Sequence, residues 1–223
     1  MSNQIIYLDD SLLVINKPAN LAAVPGGWEK ETHSLLALLE ADYGKLWIVH
    51  RLDKGTSGVI LFARNPAAHR SLSQLFETHA ITKTYHAIVC GIPSWDEHTA
   101  RHRLRADVGH AHRTVVDHKR GKPAVTSFRV LERFTHHTLL AAMPVTGRTH
   151  QIRAHLMALG FPILAEVLYA TPGIGRDSIH QYIFRPALHA CSIEFEFEGK
   201  PFFFTASYPD DFAIAINKLR ASC

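Results

Sequence analysis

A chain of 223 residues that is 47% hydrophobic and 20% charged has the make-up of a folded globular protein with a sizeable core, which excludes disordered and collagen-like classes. Its formal net charge of +4 is a modest basic bias, compatible with a polyanionic partner without identifying one. The three cysteines form no close pair and point to free thiols in a reducing compartment, and no apolar run approaches the roughly 18 residues of a membrane span, so a cytoplasmic protein is expected.

Residues 5–8 and 12–15 are short apolar segments separated by the turn cluster Asp9-Asp10-Ser11, and they read as a hairpin or two successive strands closed by Asn16-Lys17-Pro18. Residues 21–25 run into Gly26-Gly27, a flexible turn. From 33 to 43, Leu35, Leu36, Leu38 and Leu39 form a helical face that Gly44 ends.

Two strand-like runs follow, Leu46 to Val49 and Val59 to Phe62, and between them lies His50-Arg51-Leu52-Asp53-Lys54-Gly55-Thr56-Ser57-Gly58. The loop is held at both ends. Gly55 and Gly58 can take positive φ, and the hydroxyls of Thr56 and Ser57 can bond to nearby backbone, so the loop can aim one side chain. Asp53, with Arg51 and Lys54 beside it, reads either as an ionised carboxylate nucleophile or as a member of an exposed ion pair.

Asn65-Pro66 starts a helix in which Ala68, Leu72, Leu75 and Phe76 recur at helical spacing, and this helix is expected to cover the sheet. Residues 81–90 alternate as a strand that presents Lys83 and Tyr85 on one face. Residues 94–123 are the least ordered-looking stretch, and its Arg101, Arg103, Arg105, Arg113, Lys119, Arg120 and Lys122 fit either a basic face for phosphates or a solvated antiparallel hairpin. Residues 125–131 and 138–143 look like paired strands.

Thr146-Gly147-Arg148-Thr149-His150-Gln151-Ile152-Arg153 is a turn followed by a helix, with Ile152, Leu156 and Leu159 apolar and Gly160 at its end. Arg148 and Arg153 near its start oppose the helix dipole, so they answer either to an anion or to ordinary surface salt bridges. Residues 187–197 and 202–206 make a hairpin about Gly199-Lys200, and 209–219 form a closing helix. The succession predicts an α+β fold: one domain over residues 1–223, built on a mostly antiparallel mixed β-sheet flanked by helices. The sixteen histidines match no metal-ligand spacing, so no catalytic metal is expected.

Asn16-Lys17-Pro18 with Leu21 and Val24-Pro25, His50-Arg51-Leu52-Asp53 with Thr56-Ser57-Gly58, Lys83-Thr84-Tyr85, the run from Thr146 to Arg153, and Phe161-Pro162-Ile163 fall in the order seen in RluA-type pseudouridine synthases, which the chain resembles from about residue 5 to 206. The resemblance implies a cofactor-independent isomerase that converts particular uridines of ribosomal RNA or tRNA stem-loops to pseudouridine, and a monomer is expected. It makes Asp53 the nucleophile and Arg153 its charge partner. Tyr85 would pack against the target base, Arg51 would probe the RNA where the base leaves its stack, and Leu188 would line the uracil pocket or simply fill the core.

The family usually follows Pro-Ile with Gly-Asp and then Tyr-Gly, where this chain has Leu164-Ala165-Glu166 and Tyr169-Ala170; an altered loop is expected there. The chain also leaves no room for the N-terminal S4-like RNA-binding domain of many relatives, so RNA selection is expected from its own basic surface. A noncatalytic RNA-binding protein on the same fold, and a hydrolase using Asp53 with a histidine, are the competing readings.

Overall fold

The computed structural model describes residues 4–25, 34–109, 112–169 and 178–222, and its internal contacts separate into two compact units, Met1–Lys83 with Ala190–Tyr208 and Thr84–His189 with Pro209–Cys223. The expected Gly26-Gly27 turn, the helix start at His33 and Ala170 of the expected altered loop lie outside the described residues.

In the first unit, β1 (Ile5–Leu8) and β2 (Leu12–Lys17) form an antiparallel hairpin. Asp9 fixes the turn, its Oδ1 accepting from the backbone N–H groups of Ser11 and Leu12 at 2.8 and 2.7 Å. β2 lies antiparallel to β4 (Ser57–Ala63), and the two-residue β3 (Trp47–Ile48) pairs with the far end of β4 through Ile48↔Phe62 and Trp47↔Ala63. On its other side β4 neighbours β10 (Leu188–Phe197), which turns back into β11 (Lys200–Thr205).

β4 is buried over its whole length, which is why its sequence is a continuous apolar run rather than an alternation. Helix α1 (Leu35–Tyr43) starts at Ser34, whose side chain accepts from Ala37 N, and stops at Gly44, φ 72°. Helix α2 (Pro66–Glu77) starts at Asn65, whose Oδ1 accepts from Ala68 N at 2.8 Å. Ala68 and Leu72 bury against Val14, Leu61, Phe195 and Phe204, each large side chain contributing roughly 1.5–3 kcal/mol by leaving water.

In the second unit the strand order is β5 (Thr82–Cys90), β9 (His137–Pro144), β8 (Lys122–Arg133), β6 (Glu97–Val108), β7 (Arg113–Val116), every neighbouring pair antiparallel. The stretch 94–123, the least ordered by sequence, is therefore the long strand β6, the short edge strand β7 and the first two residues of β8. Its pattern is alternation, Ala100 and Leu104 buried with Arg101 and Arg103 exposed between them, but small apolar residues among many cations make it hard to read. At the turn before β8 only glycine fits, because a Cβ on Gly121 would lie 2.5 Å from the Arg103 carbonyl carbon and the Asp117 carbonyl oxygen.

Helix α3 (Gln151–Ala158) buries Ala154 against Leu104 and Ala124, and α4 (Asp210–Ala221) buries Phe212, Ala215, Ile216 and Leu219. Among the described residues, four α-helices flank mostly antiparallel strands, the α+β architecture expected.

Candidate active site

The loop from His50 to Gly58 joins β3 to β4, and four interactions in the first unit fix its path. His50 Nε2 accepts the backbone N–H of Leu61 at 3.0 Å. Leu61 sits in β4 just below the residues paired with β3, so the imidazole serves as the acceptor where β3 has ended. The ring stacks on Phe76, centroids 4.7 Å apart, and Lys83 Nζ lies 5.8 Å from the centre of the same Phe76 ring. Burial first, and then the charge of Lys83, hold the His50 pKa down to about 3, so the imidazole stays neutral and able to accept. Burial likewise lowers the pKa of Lys83.

The second anchor is Lys17, wholly buried at the end of β2. Its ammonium donates to the carbonyls of Pro18 and Leu21, each at 2.8 Å, and of Lys54 at 3.3 Å. A turn hydrogen bond from Thr56 N to Asp53 O, 3.0 Å, tightens the loop around Asp53 itself. The fourth anchor is Gly58, at φ 114°, where a Cβ would stand 2.1 Å from the carbonyl oxygen of Ala190; only glycine lets β4 and β10 come this close. Of the two loop glycines, Gly58 takes the positive φ; Gly55 is not among the described residues that do.

The loop thus buries Leu52, Thr56 and Ser57, leaves Asp53 half-buried and exposes Arg51 and Lys54. Arg51 and Asp53 are brought together here, two residues apart in one turn.

Tyr85, Arg153 and Leu188 belong to the second unit. Tyr85 is half-buried on β5 opposite Ala142 of β9. Leu188 is buried at the start of β10, and its carbonyl accepts from Nη1 of Arg185 at 3.3 Å. Arg185, itself 3% exposed, pairs with both carboxylate oxygens of Asp211 at 2.7 and 2.8 Å, which fixes the strand entry.

Arg153 is buried one turn into α3, and Glu166 takes its Nε and Nη2 in a bidentate pair at 2.7 and 2.8 Å. Of the two arginines that oppose the helix dipole, Arg153 therefore answers to a carboxylate, whereas exposed Arg148 donates to the Pro123 carbonyl at 3.2 Å. The start of α3 is held by Gln151, whose amide bonds to Thr146, Thr126, the Val125 carbonyl and the Arg148 N–H, and Thr126 in turn meets buried His155 at 2.9 Å. Burial, then the neighbouring His102, lowers the His155 pKa to about 4.

Lys17 and His50 were visible in the sequence as motif members without a role. Glu166 and Tyr169 lay in the segment read only as an altered loop; the signal that could have found them is a lone carboxylate placed shortly after an arginine-bearing helix that opposes its own dipole. Among the described residues, no group of three or more His, Cys, Asp or Glu side chains could hold a metal ion, and no helix is long and apolar enough to cross a membrane.

A family model described as RNA pseudouridylate synthase matches residues 11–158. The chain is 40% identical over 169 residues to the dual-specificity RNA pseudouridine synthase RluA of Escherichia coli strain K12, covering 75% of this chain and 77% of that protein. It is 33% identical over 232 residues to the ribosomal large subunit pseudouridine synthase D of Zymomonas mobilis, covering 98% of this chain and 73% of the relative. Among solved structures, human RNA pseudouridylate synthase domain containing 1 superposes with a TM-score of 0.80 at 26% identity, over 98% of this chain and 94% of that one. With the family model spanning well over half of its length and these relatives alongside it, the chain belongs to the RluA-type RNA pseudouridine synthases.

Proposed function

We propose that this enzyme isomerises specific uridines of ribosomal RNA or tRNA to pseudouridine, with Asp53 as the nucleophile acting on a base flipped out of its stack. The observation that carries the reading is the loop around Asp53. One half-buried carboxylate is held in a turn by a strand-capping imidazole, a buried ammonium and a close strand crossing, which is the pre-organisation a nucleophile needs.

The net reaction breaks the C1′–N1 glycosidic bond, turns the uracil and joins C1′ to C5. The proton leaves C5 and N1 ends protonated, so the isomerisation balances with no co-reactant consumed. In this scheme Asp53 acts on the nucleoside, and Arg153, oriented by Glu166, is its charge partner. Tyr85 packs against the base, and its hydroxyl handles the C5 proton. Leu188 lines the uracil pocket, and exposed Arg51 probes the RNA where the base leaves its stack, the flip itself costing a few kcal/mol. The same reading takes residues 1–223 as one catalytic domain, working as a cytoplasmic monomer.

The test is release of tritium from RNA labelled at uridine C5. The wild-type protein should release it without added metal, Asp53→Asn should not, and Asp53→Asn should still bind the RNA. Tyr85→Phe should slow release while sparing binding, whereas Tyr85→Ala should weaken both. Binding without release by the wild type on any ribosomal RNA or tRNA would favour a noncatalytic RNA-binding protein instead.

A further inference from the structure

Arg153 is gripped from two directions within the second unit. Glu166 holds the guanidinium edge, and the ring of Tyr169 lies against its face, with Arg153 Cζ 5.3 Å from the ring centre. Tyr169 is buried and is itself tied down. Thr114, on the edge strand β7, donates its main-chain N–H to the tyrosine oxygen at 2.9 Å, and His150 Nδ1 lies 3.1 Å from the same atom. Thr114 Oγ1 donates to the Thr149 carbonyl at 2.9 Å, so the strand edge is fastened to the turn that opens α3. Burial raises the Tyr169 pKa, which keeps the hydroxyl protonated.

An edge strand normally leaves its outward N–H groups to water. At Thr114 that donor goes to a single tyrosine, and the tyrosine supports a buried arginine. The hairpin of β6 and β7 also exposes Arg101, Arg103 and Arg113 to solvent, cations suited to a phosphate backbone. One aromatic ring therefore connects the cationic hairpin to Arg153.

We propose that Tyr169 is a positioning residue that fixes the Arg153 guanidinium and ties it to the β6–β7 hairpin, so that seating the hairpin on RNA and setting Arg153 are one event. The inference rests on the reading of Arg153 as an active-site residue given above. It needs no contact between Tyr169 and substrate, since the ring acts through the arginine.

Two variants separate ring from hydroxyl: Tyr169→Phe keeps the ring and loses the tie to Thr114, and Tyr169→Leu loses both. Nitrogen-15 NMR of the Arg153 Nε–H, assigned by comparison with Arg153→Lys, reads positioning without turnover. Its exchange with water should quicken about tenfold in Tyr169→Leu and stay near wild type in Tyr169→Phe, a tenfold change corresponding to about 1.4 kcal/mol. In Tyr169→Phe, kcat on RNA should fall about tenfold while KM changes less than about twofold, because the ring still holds the arginine in the free protein but the seating of the hairpin on RNA no longer reaches it.

A merely structural role would lower thermal stability and leave kcat of the folded variant alone. Unchanged Arg153 exchange in Tyr169→Leu overturns the positioning role, and unchanged kcat in Tyr169→Phe overturns the tie to the hairpin. Should Tyr169→Leu fail to fold, Tyr169→Phe still decides the tie. Arg153 exchange that responds to Tyr169→Leu in a protein forming no pseudouridine would sink the functional reading and leave the positioning role standing.

Discussion

The ammonium of Lys17 donates to the main-chain carbonyl of Lys54, the residue that follows Asp53, from a position with no exposed surface at all. A lysine is seldom wholly buried, and here its charge is solvated by three carbonyls in place of water. The end of β2 is thereby fastened to the loop that carries the proposed nucleophile.

Lys17→Met should remove all three bonds while keeping the volume. Leaving buried carbonyls short of a donor costs roughly 1–3 kcal/mol apiece, offset in part by no longer burying a charge, so a net loss of about 2 kcal/mol is expected in urea unfolding. Turnover should fall further than RNA affinity does, because the loop is freed and the binding surface is not. Wild-type turnover in a folded Lys17→Met would show that the clamp does not serve Asp53.

Ala165 stands at φ 59°, in the left-handed region that favours glycine. That conformation disfavours an L residue by roughly 1–2 kcal/mol, against up to about 1 kcal/mol of extra backbone entropy for glycine. Ala165→Gly should therefore stabilise the protein by about 0.5 kcal/mol, read as a rise in the urea midpoint. By contrast, Glu166→Gln, next in the chain, should destabilise it by about 3 kcal/mol, because it discharges one side of a buried ion pair.

Stability should decline in acid through His50. Its folded pKa of about 3 lies below the ordinary 6.5, so below pH 6.5 the unfolded chain takes up a proton that the folded one refuses. The contribution is complete above pH 6.5 and is lost as pH falls toward 3, by up to about 1.4 kcal/mol per pH unit. His155, held to about 4, adds with the same sign. Urea unfolding between pH 4 and 7 should show a shallower slope for His50→Gln than for wild type; identical slopes would mean the imidazole is not held neutral.

Arg101 and Arg103 are exposed on one face of β6, away from Ala100 and Leu104. RNA affinity should fall as salt rises, and Arg101→Ala with Arg103→Ala should flatten the logarithmic slope by about 0.7 for each single-strand phosphate that the variant no longer neutralises. A slope that the double variant leaves unchanged would mean that other cations meet the phosphates.

The elements most legible in the sequence were those with a local cause. Asn65 and Gly44 bound their helices through capping, Gly199 turns the β10–β11 hairpin at φ 73°, and the loop from His50 to Gly58 stood out because turn residues separate two apolar runs. The β6–β7 region was less legible because the apolar half of its alternation is made of alanine and leucine among arginines. What could not be read were partners distant in sequence. Thr114 and Tyr169 meet across 55 residues, and Lys17 and Lys54 across 37; no local pattern encodes such pairs.

The dependence of the modification on Asp53 is tested by site-by-site mapping of pseudouridine in ribosomal RNA and tRNA from cells with the gene intact, deleted, or carrying Asp53→Asn. The same one or few sites should lose pseudouridine in the deletion and in Asp53→Asn, and the gene supplied in trans should restore them. Sites lost on deletion but fully modified in Asp53→Asn cells would contradict it, because the modification would then not depend on that carboxylate.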